Sequence, residues 1–325
     1  MRVLLSGEHQ YPALNGVSFG PHPKAFPSGS AHHLHDLLAK GLAELGHEVL
    51  YFLPAGVTQP LPEGVTQVDG PDASAEIYHN LAFKGEEVIE FMRSRGKPWI
   101  TSCHIDRATR QERGWKVERN WVFPSRTLAS SHGSERYVLN GLDPANYHFS
   151  VAKQDYFLFM SVAERAWAKG LETALEVASR TGIRLVVAGT GLSYEPIREV
   201  ARICAERGAD YVGDVQGAEK ADLFAGAKAF LFPTRLNEAF GLVMVEALLS
   251  GTPVIASLKG ACPEVIDRSV GFLCEGLEDY LAAVERLDQI RPETCREYAV
   301  ARFHYRRMTA DYVREYESEI CITAS

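Results

Sequence analysis

The chain has 325 residues, of which 46% are hydrophobic and 23% are charged, and its formal net charge is −8. This composition is that of a globular protein long enough for two domains, and the negative charge argues against nucleic acid as a main partner. Six scattered cysteines without a C-x-x-C pair indicate neither a disulfide framework nor a zinc site and suit a reducing compartment. The apolar run after Met1 is too short for a signal peptide or a transmembrane helix, so we expect a cytoplasmic protein.

The first part of the chain alternates apolar runs, typical of buried strands, with amphipathic segments. Residues Arg2–Gly7 predict a first parallel strand, and a loop rich in proline, glycine and histidine follows from Glu8 to Ser30. Leucines at helical spacing then predict a helix over His32–Leu45, which leads to a second strand over Val49–Leu53. Because α/β folds keep active-site parts in loops that join a strand to a helix, the first loop is a candidate functional segment.

Three histidines, His32, His33 and His35, stand at the start of this predicted helix. Their spacing does not give the i, i+4 pair that would place two ligands on one helical face. We therefore expect solvated or acceptor-facing imidazoles and no metal ion there.

The stretch Met92–Arg126 is unusually basic. It carries nine lysines or arginines against three acidic residues, together with Trp99, Trp115 and Trp121. The pattern is typical of a solvated helix face, and it also fits contact with an anionic acceptor or an anionic membrane surface. The sequence leaves these interpretations open.

After a polar linker at residues 150–155, the second half of the chain has the alternation of a second doubly wound parallel sheet. Strands are predicted over residues 156–160, 184–189, 211–213, 229–232 and 254–256, and helices over residues 171–179, 195–207, 218–227 and 242–249. The last stretch, Glu293–Glu319, is predicted to be helical.

Two carboxylates flank the start of the helix that follows Gly241. Glu246 has almost entirely apolar neighbours, so we expect it to be buried and to need a partner. A ribose cis-diol would satisfy it, because a carboxylate accepts from both hydroxyls, and a neighbouring arginine or a backbone amide would do so too. Glu238 is either a surface residue or part of a site, because the amides of Phe240, Gly241 and Leu242 form a natural phosphate site.

These residues belong to a longer motif, which reads Glu238-x7-Glu246 around Phe240-Gly241-Leu242, then Gly251-Thr-Pro-Val and Gly260-Ala-Cys-Pro-Glu264. The motif resembles the donor-binding region of family 4 retaining glycosyltransferases, which have the GT-B fold. The resemblance implies an α/β fold with two Rossmann-like, doubly wound parallel-sheet domains facing across a cleft. It places an acceptor-side domain at residues 1–150, a donor-binding domain at 151–303, and a terminal helix, 304–325, that crosses back onto the first domain.

The same resemblance implies a set of site residues. The catalytic residues would be Lys169, Glu238 and His104, the last at the carboxyl end of a predicted strand. The residues that bind the donor would be Gly29, Arg165, Lys169, Val215, Lys220, Glu238, Phe240, Gly241, Leu242 and Glu246. The chain departs from the family pattern at two places. Ser30 replaces the second glycine of a Gly-Gly pair, and Ser161-Val162 replaces a Gly-Arg pair, so Arg165 would have to reach the donor phosphate from a longer loop.

The reaction that the resemblance implies is a metal-independent transfer of a sugar, with retention of anomeric configuration, from a nucleotide-diphosphate sugar to an acceptor hydroxyl. A UDP- or GDP-sugar is the favoured donor, and a small molecule or a glycan the acceptor. Lys169 and helix-end amides would stabilise the leaving phosphate, which would itself accept the acceptor's proton. Glu238 would hold sugar hydroxyls, and His104 would steady the donor sugar or the charge that develops on it.

Three other functions stay open at this point. A nucleotide-sugar 2-epimerase or hydrolase shares the architecture, although the Glu-x7-Glu spacing and the Asn140-Gly141-Leu-Asp143 turn favour a transferase. A nicotinamide-dependent oxidoreductase needs G-x-G-x-x-G, whereas this chain has Tyr194 where the last glycine of Gly189-Thr-Gly191 belongs. A nucleotide-binding protein with a decayed catalytic site is the third alternative.

Overall fold

The structure, a computed structural model, describes residues 1–6, 31–52, 61, 63–81, 86–189, 191 and 193–325. The predicted first loop, with Gly29 and Ser30, therefore lies outside the described residues. The chain divides into two compact units, of which unit 1 contains residues 1–143 and 303–325 and unit 2 contains residues 144–302. The junction between the units lies at Asp143–Pro144, seven residues before the position expected from the sequence.

Unit 1 is built on a parallel sheet. Its elements up to residue 131 are β1 (Arg2–Ser6), α1 (Ala31–Glu44), β2 (Glu48–Phe52), β3 (Val65–Val68), β4 (Ile77–Leu81), α2 (Glu86–Ser94), β5 (Trp99–Ser102), α3 (Arg107–Glu112), β6 (Trp121–Val122) and α4 (Arg126–Ser131). The six strands are hydrogen-bonded in the order β3-β2-β1-β4-β5-β6, and all their pairings are parallel.

Unit 2 is built on a second parallel sheet. Its elements are β7 (Phe157–Met160), α5 (Leu171–Thr181), β8 (Leu185–Ala188), α6 (Tyr194–Glu206), β9 (Asp210–Gly213), α7 (Gly217–Gly226), β10 (Ala229–Phe232), α8 (Leu242–Leu249), β11 (Val254–Ser257), α9 (Cys262–Val265), β12 (Gly271–Cys274), α10 (Leu277–Glu285) and α11 (Pro292–Phe303). The strand order is β12-β11-β10-β7-β8-β9. Every residue of β8, β10 and β11 is buried, as expected of central strands covered on both faces.

The last helix, α12 (Tyr305–Ala324), belongs to unit 1. The amide of Leu142 donates to the carbonyl of Phe303 at 2.7 Å, and the hydroxyl of Tyr305 donates to Glu44 on α1 at 2.8 Å. Gly141 makes this approach feasible, because a Cβ at that position would lie 2.7 Å from the carbonyl oxygen of His304. The chain therefore returns from unit 2 to pack its final helix on the sheet and helices of unit 1.

Each sheet has a point where the strand order reverses. In unit 2 the chain runs outward from β7 through β8 to β9, and then starts again beside β7 with β10 and runs the other way. The loops that follow β7 and β10 therefore diverge at this point, where open α/β sheets form a crevice outside the carboxyl ends of the strands. In unit 1 the corresponding reversal lies between β1 and β4.

Candidate functional site in unit 2

The two loops at the reversal point of unit 2 are tied together by their backbones. The loop after β7 leads to α5 and the loop after β10 leads to α8, and the amide of Arg235 in the second donates to the carbonyl of Ala168 in the first at 2.9 Å. Gly170 makes the close approach feasible. Its φ is +90°, and a Cβ there would lie 1.9 Å from the carbonyl oxygen of Pro233.

An ion pair joins the same two loops. The ammonium group of Lys169 contacts the carboxylate of Glu238, and both side chains are mostly buried, with exposed fractions of 17% and 15%. The turn that follows β11 positions the backbone of Glu238, because the carbonyl of Glu238 accepts from the amide of Ala261 at 2.9 Å. Gly260 lies against it so closely that a Cβ would fall 2.2 Å from the amide nitrogen of Glu238. The sequence motif thus brings Lys169, Glu238 and the Gly-Ala turn into one cluster.

Glu246 is buried, as its apolar neighbours predict, with an exposed fraction of 2%. Its carboxylate accepts from the ammonium group of Lys220 on α7, at 2.9 Å to Oε1 and 2.8 Å to Oε2. The hydroxyl of Tyr147 donates to Oε1 at 3.3 Å. The protein partners of Glu246 are therefore a lysine and a tyrosine, whereas an arginine or a backbone amide was expected, and the ribose contact stays a prediction.

The start of α8 lies directly beside the Lys169–Glu238 pair. Gly241 precedes the helix with φ +86°, a left-handed conformation that favours glycine, and a Cβ there would lie 3.3 Å from Cγ of Glu238. The side chain of Phe240 is buried at 2% exposure, whereas Leu242 is partly exposed. Since the first amides of a helix have no acceptor within it, an anion beside Lys169 would meet N–H donors and the positive end of the helix dipole.

Two other candidate donor-binding residues in unit 2 occupy different environments. Val215 is buried at 6% exposure and precedes α7, the helix that carries Lys220. Arg165 is exposed and ends a short 3-10 turn in the loop after β7. The carbonyl of Arg165 accepts from the amide of Lys169 at 2.8 Å, so this turn positions the backbone of the lysine.

His104, the candidate catalytic residue in unit 1, lies two residues beyond the end of β5 and is partly exposed. The strand was expected to extend to this histidine. Removal of water around its ring disfavours the imidazolium and lowers the pKa of His104 to about 4. The imidazole is therefore uncharged at neutral pH.

A buried polar cluster lies near His104, and sequence reasoning missed it. His79 on β4 is fully buried, and its ring nitrogens bond to the hydroxyls of Tyr316, at 2.7 Å, and Ser102, at 2.6 Å. The hydroxyl of Ser102 also contacts that of Tyr312 at 2.7 Å. Burial, together with the nearby His104, lowers the pKa of His79 to about 3. A histidine within an apolar strand is the only local sign of this cluster.

The histidines at the start of α1 differ in part from expectation. His35 is buried at 2% exposure, and its ring centroid lies 5.0 Å from that of His79. The expectation of a solvated or acceptor-facing imidazole is therefore wrong for His35, because its ring is buried and packs against His79 of the polar cluster. His33 is partly exposed, and the side chain of His32 lies outside the described part of the chain.

Among the described residues, no group of three or more histidine, cysteine, aspartate or glutamate side chains is placed to hold a metal ion. Within the same residues, no helix has both the length and the apolar character needed to cross a bilayer.

Comparison with known proteins agrees with this geometry. Residues 145–299, which contain both ion pairs and α8, match the model of the family described as glycosyl transferases group 1. The two six-stranded parallel sheets match the GT-B fold of solved glycosyltransferases. The fold is therefore GT-B, and unit 2 is similar over residues 145–299 to the domain described as glycosyl transferases group 1.

Three particular proteins illustrate the similarity. The crystal structure of AviGT4, a glycosyltransferase involved in avilamycin A biosynthesis, aligns with a TM-score of 0.74 and 24% identity over 99% of this chain and 98% of that one. Anabaena Alr3699/HepE, solved in complex with UDP, aligns with a TM-score of 0.72 and 15% identity over 98% of this chain and 100% of that one. The D-rhamnosyltransferase WbpZ of Pseudomonas aeruginosa is 23% identical over 274 residues, which are 75% of this chain and 68% of that protein.

Most of the curated relatives match over a shorter stretch. The aligned part spans about a third of their length, as with the 32% covered in a Klebsiella pneumoniae protein of the cps region and the 38% covered in a Mycobacterium leprae mannosyltransferase.

Proposed function

We propose that the protein is a family 4 glycosyltransferase that moves a sugar from a nucleotide-diphosphate sugar to an acceptor hydroxyl, with retention of configuration and without a metal ion. Unit 2 binds the donor and unit 1 receives the acceptor, which is a small molecule or a glycan. The observation that carries the proposal is the Lys169–Glu238 pair at the reversal point of the unit 2 sheet, next to the start of α8. The UDP complex of the structural relative HepE supports a UDP-sugar, with a GDP-sugar as the alternative.

Lys169 stabilises the leaving diphosphate in this proposal. Cleavage of the sugar–phosphate bond builds negative charge on the leaving oxygen, and pre-aligned cationic and N–H donors stabilise it best in a site that excludes water. A unit charge pair at ~4 Å with an effective dielectric constant near 20 is worth about 4 kcal/mol, or roughly three decades in rate if it acts only in the transition state. The amides of Gly241 and Leu242 add to this, and Arg165, which is exposed, approaches from the loop after β7.

Glu238 already holds the ammonium group of Lys169 in place without a ligand. When the diphosphate takes over part of this contact, one carboxylate oxygen of Glu238 becomes available for the hydroxyls of the donor sugar. The two residues are thereby coupled, because the charge that positions the lysine in the free protein positions the sugar in the complex.

Glu246 binds the donor ribose. An ionised carboxylate offers about four acceptor positions, and Lys220 and Tyr147 account for three bonds in this structure. A ribose hydroxyl can use the remaining position without displacing the lysine. Lys220 and the buried Val215, which precedes α7, are the proposed neighbours of the nucleotide base.

His104 acts as a neutral hydrogen-bonding group. With a pKa of about 4, its imidazole carries no charge at neutral pH, so it orients the hydroxyls of the donor sugar and gives no cationic stabilisation. Because configuration is retained without a nucleophile from the protein in this proposal, the leaving phosphate itself accepts the proton of the acceptor hydroxyl. Gly29, in the first loop, is the proposed contact of unit 1 with the donor phosphates. All six cysteines are unpaired thiols, which supports a reducing, cytoplasmic location.

The proposal is tested by donor turnover. UDP-, GDP-, ADP- and TDP-sugars are incubated with the protein, with and without EDTA. Release of the nucleoside diphosphate is followed by phosphorus NMR, with water or an added acceptor as the receiving group. We expect one donor class to be cleaved at the same rate in EDTA, and proton NMR of the first product to show the anomeric configuration of the donor.

The matched variants are Lys169→Ala and Lys228→Ala. Lys169→Ala should lower turnover by about three decades. Lys228, an exposed lysine at the start of β10 with Asp155 at 3.9 Å, should tolerate the same change. Inversion of configuration, an absolute need for a divalent cation, or wild-type turnover in Lys169→Ala would each contradict the proposal.

A further inference from the structure

Unit 1 contains a groove of about 1090 Å³ on the β4–β6 side of its sheet. Three of the four tryptophans of the chain, Trp99, Trp115 and Trp121, line it. The donor-binding proposal uses none of the residues of this groove. Its volume lies just above the range of about 300–1,000 Å³ that is usual for small-molecule sites, so it has room for more than one ring-shaped unit.

The floor of the groove is a row of side chains across three neighbouring strands. In the register of the sheet, Asn80 on β4 pairs with Thr101 on β5, and Thr101 pairs with Trp121 on β6. Paired residues of a parallel sheet project to the same face, and Trp99, two residues before Thr101, projects there too. The hydroxyl of Thr101 therefore lies next to two indoles, with the amide of Asn80 on its other side.

Thr101 has an unsatisfied hydrogen-bonding group in this floor. Its exposed fraction is 4%, and its hydroxyl has no hydrogen-bond partner among the described residues. A buried hydroxyl without a partner is destabilising, and such groups are rare in folded proteins. Thr101 is one of the residues that line the floor of the groove, so a polar ligand that reaches this hydroxyl would supply the missing bond.

The wall formed by Trp115 is held in place by two arginines. Arg110 donates to the carbonyl of Trp115 at 2.6 Å, and the guanidinium of Arg113 lies 4.8 Å from the centre of the indole ring. Trp115 itself remains partly exposed. Arg93 lies over Trp99 in the same way, at 5.6 Å from its ring centre. The aromatic surface is thus fixed before any ligand arrives.

The charges at the rim of the groove balance one another. Arg93 forms ion pairs with Glu90, at 3.1 Å, and with Glu118, at 3.4 Å, and Lys116 is the remaining cation of the rim. Two basic and two acidic side chains therefore surround the opening, although the stretch that supplies most of them is basic overall. Among the lining side chains an anionic ligand would meet as many carboxylates as cations, with Arg113 next to Trp115 as one further cation.

We propose that this groove binds a neutral oligosaccharide. A sugar ring has an apolar face of C–H groups and an equatorial rim of hydroxyls, each of which both donates and accepts. The indoles match the face, whereas the hydroxyl of Thr101, the amide of Asn80 and the balanced carboxylates and cations match the rim. The inference rests on the groove alone and does not require the transferase reaction.

Binding is tested with the full-length protein on an array of neutral and anionic oligosaccharides, together with vesicles of phosphatidylcholine and phosphatidylglycerol. The variants are Trp115→Ala and Thr101→Val, which remove an aromatic wall and the buried hydroxyl. The matched controls are Tyr194→Ala, an exposed aromatic residue of unit 2, and Thr66→Val, an exposed threonine of the same sheet. Thermal unfolding of each variant shows that it is folded.

We expect at least one neutral oligosaccharide to bind, with affinity lowered tenfold or more by Trp115→Ala and by Thr101→Val and unchanged by both controls. Lys169→Ala should retain this binding, so a failure of the proposed transferase reaction would be distinguishable from a failure of the groove. Binding of anionic glycans or phosphatidylglycerol vesicles only, binding that both groove variants retain, or no binding to any glycan would each overturn the proposal.

Discussion

Replacement of Glu246 separates its part in the fold from its part in nucleotide binding. Glu246→Ala removes a carboxylate that is 2% exposed and that pairs with the ammonium group of Lys220, on a side chain 12% exposed. Removal of one partner of a buried ion pair costs about 3–5 kcal/mol. For a unit of the size of residues 144–302, each kcal/mol lowers the melting temperature by roughly 2–4 °C, so a drop of about 6–20 °C is expected.

The double variant Glu246→Gln with Lys220→Met removes both charges and keeps similar volumes. Its stability should return to within about 1 kcal/mol of the wild type, because no buried charge is left alone. If Glu246 also accepts from the ribose, the double variant should still bind the nucleoside diphosphate more weakly. The loss of a hydrogen bond to a charged group, about 1.5–3 kcal/mol, corresponds to roughly 10–150-fold in affinity.

Calorimetric unfolding and nucleotide titration of the same samples measure both effects. Glu219→Gln, an exposed glutamate next to Lys220 on α7, serves as the control and should change neither quantity. A stable Glu246→Ala protein would refute the account of the buried pair. A double variant that binds the nucleotide as tightly as the wild type would refute the ribose contact.

Two further predictions concern the framework around the sites. Burial holds the pKa of His79 near 3, well below the value of about 6.5 in the unfolded chain, so its contribution to stability is complete above pH 6.5 and is lost as the pH falls. Between pH 7.5 and pH 5.0, the free energy of unfolding measured in urea should fall by about 2 kcal/mol more in the wild type than in His79→Gln. Equal decreases in the two proteins would contradict this prediction. Gly170→Ala should disturb the loop of the candidate site, because its Cβ would overlap the carbonyl of Pro233. Gly182 has a similar φ of +70° but open space around it, so Gly182→Ala should cost only about 1–2 kcal/mol of stability. Donor binding and the melting temperature of the two variants are compared, and equal effects would argue against the clash.

Local sequence patterns were sufficient for β1, β2, the five strands β7 to β11 and the surroundings of α8, whereas β3, β4 and β12 were not predicted. Continuous apolar runs predicted the buried central strands of unit 2, because a strand covered on both faces needs apolar side chains at every position. The apolar neighbours of Glu246 predicted its burial for the same reason. Its partner Lys220 lies 26 positions earlier on another helix, so the pairing depends on how α7 and α8 pack and no local pattern reports it.

The same limit applies in unit 1. His79 stands in a short strand, and the hydroxyl that satisfies one of its ring nitrogens belongs to Tyr316, 237 positions away. The only indication of the groove in the sequence is three tryptophans within a basic stretch. The sequence does not show that Arg93 pairs with Glu90 and Glu118. Net charge along the chain was therefore a poor guide to the charge of that surface, because ion pairs form between residues that the fold brings together.

The measurement that tests the central claim most directly is isothermal titration calorimetry of the wild-type protein and of Lys169→Ala with UDP and with GDP. The account predicts that one of the two nucleotides binds the wild type in the absence of any divalent cation, that Lys169→Ala weakens this binding at least tenfold, and that Lys228→Ala does not. Equal affinities of the wild type and Lys169→Ala, or no binding of either nucleotide to the wild type, would contradict the assignment of the diphosphate site to the reversal point of the unit 2 sheet.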